Sequence, residues 1–195
     1  MGQRSQIYIR YNKDGKNYLT AKYYQWNYGE RMISRCKHTI EWIKEILNYD
    51  WHLTTDTEEL KRILDVNFDM GSVAIGSDIV KEYAEDEYWR KECSFNEFVF
   101  NRQDNNDGKL FIDIKNGIVK YAFLDCDCDT KYIMNAEQYL NWDYEGWITS
   151  EYLDDEQKLT CFNNIKTISE IAHLMTQKEV EDFISCNYEQ EKEMI

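Results

Sequence analysis

Apolar positions near the start of the chain recur with a period of two. Ile7, Ile9 and Tyr11 alternate with Tyr8 and Arg10, Asp14-Gly15 supplies a tight-turn pair, and positions 18–26 resume an extended, aromatic-rich pattern. This predicts a β-hairpin. From Tyr28 the period lengthens: Ile33, Cys36, Ile40, Ile43 and Leu47 follow one another at intervals of 3, 4, 3 and 4, one stripe of a helix, with Asn27 and Glu30 at capping-box spacing before it. Asp56 and Glu59 offer a similar cap to a second helix through Leu60, Ile63 and Leu64 that ends before Gly71. Residues 73–75 read as a short strand and 79–89 as a helix with acidic outer faces.

Three β-prone runs follow, at 98–100, 110–112 and 118–124, joined by 103–108 and then by Lys115-Asn116-Gly117. They predict a meander. Beyond Thr130 the pattern is helical: Asn135 with Gln138, Thr167 with Glu170 and Thr176 with Glu179 are cap-plus-partner spacings, each followed by apolar residues. Ile168, Ile171, Ala172 and Met175 predict one buried stripe, and Val180, Phe183 and Ile184 the next. The expected fold is a single α+β domain over residues 1–195: an antiparallel sheet of about five strands, the hairpin plus the meander, with helices packed on one face.

Composition agrees with a folded domain. The 195 residues are 43% hydrophobic, 15% aromatic and 31% charged, and contain no proline, which removes rigid linkers and PxxP ligands from consideration. No stretch approaches the roughly 18 apolar residues of a membrane span, no apolar signal core follows Met1, and Gln6 stands where a myristoylation motif needs Ser or Thr. A cytoplasmic protein is expected. Cys36, Cys93, Cys126, Cys128, Cys161 and Cys186 lack paired metal-site spacing and are expected to be free thiols.

Charge is unevenly distributed within a net −14. Residues 1–50 hold nine basic and five acidic side chains, net +4, which leaves 14 basic and 32 acidic in 51–195, net −18. Such a field repels nucleic acid over most of the surface and attracts basic partners.

Few constellations carry chemistry. Gln103 to Gly108 resembles a calcium loop in composition, but the first and twelfth positions would be Gln103 and Ile114, so a hairpin turn explains it better. Asp125-Cys126-Asp127-Cys128-Asp129 closes a strand. If extended, it turns three carboxylates to one face, able to hold Mg²⁺ or Mn²⁺, and two thiols to the other; the plainer reading is an acidic strand end with cysteines facing the core. His38 on a helix flank, His52 in a loop and His173 beside the stripe of a late helix match no catalytic motif. Arg31 and Arg35 lie one helical turn apart and can grip one anion together. The basic, aromatic hairpin, with Tyr8, Tyr23, Tyr24 and Trp26, has the ingredients of a single-strand platform, although aromatics in a half-buried hairpin are ordinarily core.

The opening Gly2-Gln3-Arg4-Ser5-Gln6-Ile7-Tyr8, the segment Tyr24-Gln25-Trp26-Asn27-Tyr28-Gly29-Glu30-Arg31 and the segment Asn101-Arg102-Gln103-Asp104-Asn105-Asn106-Asp107-Gly108 resemble those of small proteins from low-GC bacteria and their phages. The resemblance implies a bacterial or mobile-element origin and brings no activity, catalytic residue or cofactor.

The expected function is therefore an acidic interaction or inhibitor protein. It is read as a phage-encoded, anti-CRISPR-like block on a basic nucleic-acid-handling partner, binding through Asp125, Asp127, Asp129, Asp154, Asp155 and Glu156, with no cofactor and no direct contact with nucleic acid. The alternative is a metal- or nucleotide-dependent enzyme, or a ligand-binding domain, using Asp125, Asp127 and Asp129 with Arg31 and Arg35 as anion ligands. Nucleic-acid binding by the hairpin ranks third.

Overall fold

The alternation at the start of the chain forms the expected hairpin. In the computed structural model, which describes residues 3–48, 57–65, 76–101 and 104–189, β1 (Arg4–Lys13) and β2 (Lys16–Gln25) pair antiparallel. Asp14 (φ 52°) and Gly15 (φ 76°) make the turn, both in the left-handed region that a two-residue hairpin requires. Asn116 (φ 53°) and Gly117 (φ 74°) do the same between β4 (Lys109–Lys115) and β5 (Ile118–Leu124).

The two hairpins join side by side in parallel. Gln6 faces Lys109 and Tyr11 faces Ile114 across β1 and β4. Two short strands complete the sheet: β3 (Ser77–Asp78), antiparallel to β2, and β6 (His173–Leu174), parallel to β5. The order is β3-β2-β1-β4-β5-β6. Among the described residues the sheet thus has six strands and is mixed, not the antiparallel sheet of about five expected. The long helical excursion between β2 and β4 lets the second hairpin return in either direction, whereas direct turns would have forced antiparallel neighbours.

Helices cover both faces, which corrects the expectation of one. On the first face Ile7, Ile9 and Tyr11 meet α1 (Gly29–Asn48) through Ile33, Cys36, Ile40 and Ile43, with α2 (Thr57–Asp65), α6 (Ala136–Tyr144) and α7 (Asp155–Ile171) completing the layer. On the second face Tyr8, Phe111 and Ala122 meet α3 (Ile79–Glu85), α5 (Phe95–Asn101) and α8 (Gln177–Ser185). Tyr8, read from the pattern as the alternate to an apolar face, is itself core: its ring lies 5.0 Å from Phe100 and 5.1 Å from Phe111.

Several local expectations change. Residues 98–100 lie in α5, not in a strand, so the meander is a two-strand hairpin; all three side chains are buried, and so short an apolar run carries no period to separate helix from strand. Residues 103–108 accordingly precede β4 rather than connect two strands; Arg102 and Gln103 lie outside the described residues, and Asn105 Oδ1 accepts from the Asp107 and Gly108 amides. Asn27 does not cap α1. It is buried, donating through Nδ2 to Ser5 Oγ (3.0 Å) and accepting from Arg35 Nε (2.6 Å).

Asn135 with Gln138 and Thr176 with Glu179 form reciprocal capping boxes as predicted, but Thr167 lies inside α7, whose box is Asp154 with Gln157. His173 is in β6 rather than beside a helical stripe. Residues 73–75, His52, Asp56, Met1 and Gly2 lie outside the described residues. All six cysteines are free, with Cys36 and Cys161 buried.

One ion pair fixes the centre. Arg10 and Asp113 are register partners across β1 and β4, 5% and 7% exposed; Nε donates to Oδ1 (2.8 Å) and Nη2 to Oδ2 (2.7 Å). The remaining nitrogen, Nη1, donates to Asp182 of α8 (2.8 Å), and the guanidinium lies 4.8 Å from the Phe183 ring centroid. Removing one partner strands a buried charge, which costs about 3–5 kcal/mol. Asp113→Ala should therefore lose about that much stability in urea or guanidinium unfolding, whereas Asp182→Ala, whose side chain is 63% exposed, should lose under about 1 kcal/mol.

Candidate functional site

A groove forms where the helix expected over 79–89 breaks in two. Asp86 adopts an extended backbone (φ −94°, ψ 101°), ends α3 by donating its N–H to Glu82 O, and caps α4 (Glu87–Glu92), its carboxylate accepting from the Tyr88 (2.9 Å) and Trp89 (3.1 Å) amides. Ile79 and Tyr83 anchor α3 in the core, with the Tyr83 ring 5.5 Å from Phe95 and 5.3 Å from Phe98. The outer positions of both helices are left facing one concavity.

That concavity has a volume of about 730 Å³ and is lined by Glu82, Glu85, Asp86, Glu87, Tyr88, Trp89 and Phe98. Trp89 packs against Phe98 (6.2 Å) and meets the exposed Tyr88 ring edge-on (4.8 Å). The existing cations are loosely held: Lys81 reaches Glu85 at 3.6 Å and Lys91 reaches Glu87 at 3.5 Å, both pairs exposed and worth little. Four carboxylates against a low-dielectric aromatic wall focus negative potential into the groove. The acidic faces were legible in the sequence; the break at Asp86 that brings them together was not.

The residues singled out earlier are not gathered into one site. Asp125 to Asp129 form a turn rather than an extended strand end: Cys128 has φ 63° and donates its N–H to Asp125 O, Asp125 Oδ1 accepts from the Asp129 amide (3.1 Å), and Asp129 Oδ1 accepts from the Lys131 amide (2.9 Å). The extended alternation expected to turn the three carboxylates to one face is therefore absent. Burial raises the Cys128 thiol pKa, partly offset by Lys109, and burial with Asp127 and Asp125 raises that of Cys126. Among the described residues no group of three or more His, Cys, Asp or Glu side chains is placed to hold a metal ion.

Asp154 is committed to its capping box, while Asp155 and Glu156 are exposed in the first turn of α7, on the side that also exposes Leu159 and Phe162. Arg31 and Arg35 do not form a joint anion grip. Arg35 is 3% exposed, donates to Asn27 Oδ1 and Leu64 O, and lies over Tyr24; Arg31 donates to Trp26 O (2.7 Å) and lies over Tyr28. Of the hairpin aromatics, Tyr8 and Tyr24 are wholly buried, so the single-strand platform loses most of its surface.

A second acidic cluster is internal. Tyr144 donates its hydroxyl to Glu30 in the first turn of α1, the Gly29 N–H donates to Asp143 near the end of α6, and Tyr139 donates its hydroxyl to the Asp107 carbonyl (2.7 Å). Gly29 (φ 43°) admits this approach because a Cβ there would run into the Tyr144 ring. Burial raises the pKa of Asp107 to about 6 against the pull of Arg4. Burial, with the charges of Asp107 and Glu30, raises that of Asp143 to about 7, and its Oδ2 is buried without a hydrogen-bond partner.

No protein-family model matches the chain, and no curated protein and no solved structure shows significant similarity to it.

A carboxyl whose pKa is higher folded than unfolded contributes stability below its unfolded pKa, near 4, and loses it as pH rises through the folded value. The Asp107 and Asp143 contribution is thus present in mild acid and gone by about pH 8. Denaturant unfolding should show the protein less stable at about pH 8 than at about pH 5. Asp143→Asn should flatten that dependence and be more stable than the parent at the higher pH; an unchanged slope would mean these carboxyls are hydrated.

Proposed function

We propose that the protein is an acidic interaction protein that captures a basic protein partner through the α3–α4 groove. The observation that carries this is a concave surface of about 730 Å³ in which Glu82, Glu85 and Glu87, around the Asp86 cap, share a wall with Tyr88, Trp89 and Phe98. The exposed Asp155 and Glu156, beside Leu159 (60% exposed) and Phe162 (58% exposed), supply a second acidic and apolar surface on α7. A strongly acidic chain that fills a groove evolved for phosphates acts as an inhibitor of a nucleic-acid-handling enzyme in the cytoplasm, in the manner of anti-CRISPR proteins, with complementarity setting the rate of encounter and the choice of partner.

A tagged pull-down from nuclease-treated bacterial lysate should retain a basic nucleic-acid-handling protein that high salt releases, and adding the acidic protein should inhibit that partner's activity on nucleic acid. Glu85→Lys with Glu87→Lys should slow association by about tenfold or more at low salt. Capture that is indifferent to salt and to this charge reversal would rule the reading out.

A further inference from the structure

We propose, resting on the reading above, that the α3–α4 groove recognises arginine: a guanidinium from an extended basic segment of the partner stacks on the exposed Tyr88 ring and is held by the carboxylates of Glu85 and Glu87. The aromatic wall is set before any ligand arrives. Asp86 fixes the first turn of α4 through the Tyr88 and Trp89 amides, and Trp89 is braced from behind by Phe98 at 6.2 Å. Tyr88, 61% exposed, stands edge-on to Trp89 (4.8 Å, 73°), so the two rings do not present parallel faces and the exposed Tyr88 ring is the one on which a flat cation stacks.

Arginine suits this surface better than lysine. A guanidinium is planar and weakly hydrated, stacks on rings while its edge donates to a carboxylate in bidentate fashion, and surrenders little solvation in doing so; an ammonium is a compact, strongly hydrated charge. The protein uses the same chemistry internally, with Arg10 over Phe183 (4.8 Å), Arg35 over Tyr24 (4.7 Å) and Arg31 over Tyr28 (5.1 Å). Glu85 and Glu87 are not locked against a newcomer, because the Lys81–Glu85 and Lys91–Glu87 pairs are exposed and easily displaced.

The test is fluorescence anisotropy with the full chain and two labelled peptides of equal length and charge, one carrying arginine and the other lysine at the same Gly-Ser-spaced positions. The arginine peptide should bind about threefold more tightly or better, a margin matching a cation–π preference on a part-exposed ring. Tyr88→Ala, at an exposed position that leaves folding intact, should erase the preference while keeping lysine-peptide binding. Asp155→Asn with Glu156→Gln on α7 should change neither. Equal affinity for the two peptides would overturn the arginine proposal and leave the basic-partner reading standing. Binding that the α7 substitutions abolish and the Tyr88 substitution does not touch would overturn its location. No binding of either peptide at low salt would overturn both readings.

Discussion

The Arg10–Asp113 pair governs the architecture because it is an ion pair almost wholly buried in the middle of the sheet. Parallel strands in the middle of a sheet are covered on both faces, and a charge there is tolerated only when its hydrogen bonds are met. Asp113 satisfies two guanidinium nitrogens and Asp182 a third. Shifting β1 by one residue against β4 would set Arg10 opposite Ile112 or Ile114 and leave both charges unmatched. The pair therefore specifies the register that joins one hairpin to the other, while α8 is seated on the second face by its buried Val180 and Phe183.

The fold was legible where local chemistry decides it. The Asp14-Gly15 and Asn116-Gly117 turns, the apolar stripe of α1, and the capping boxes at Asn135 and Thr176 each follow from a few neighbouring residues. What the sequence could not display was the second covered face. Tyr8 and Arg10 look like solvent-side alternates to Ile7 and Ile9, yet every one of these side chains is buried, because the strand is central and carries no outward face at all. Asn27 misled for a related reason: its residue type suits an exposed helix cap, while its carboxamide serves as an internal junction between Ser5 and Arg35. The groove escaped notice because its carboxylates belong to two helices whose separation depends on the extended backbone of a single residue, Asp86.

Net charge alone overstates how much acid is offered to a partner. Glu30, Asp107, Asp113 and Asp143 act inside the molecule, and Asp78, Asp86 and Asp154 satisfy helix N-termini. The carboxylates left at the surface are the ones whose position matters, and those on α3, α4 and α7 lie beside exposed aromatic or aliphatic side chains rather than on evenly charged faces. An acidic field without such apolar anchors steers a partner but does not hold it.

The parallel union of the two hairpins also dictates the order in which the molecule can be built. Arg10 and Asp113 are 103 positions apart, and the strands they join are the floor on which every helix layer rests. The first hairpin can form alone, but an isolated two-stranded ribbon with both faces apolar is marginal in water. During synthesis Ile7, Tyr8 and Ile9 therefore wait for β4 to emerge, and contacts of such high sequence separation make for slow folding. The constraint that gives the finished sheet its single register thus leaves the nascent chain with an apolar central strand exposed first and joined to its parallel neighbour late.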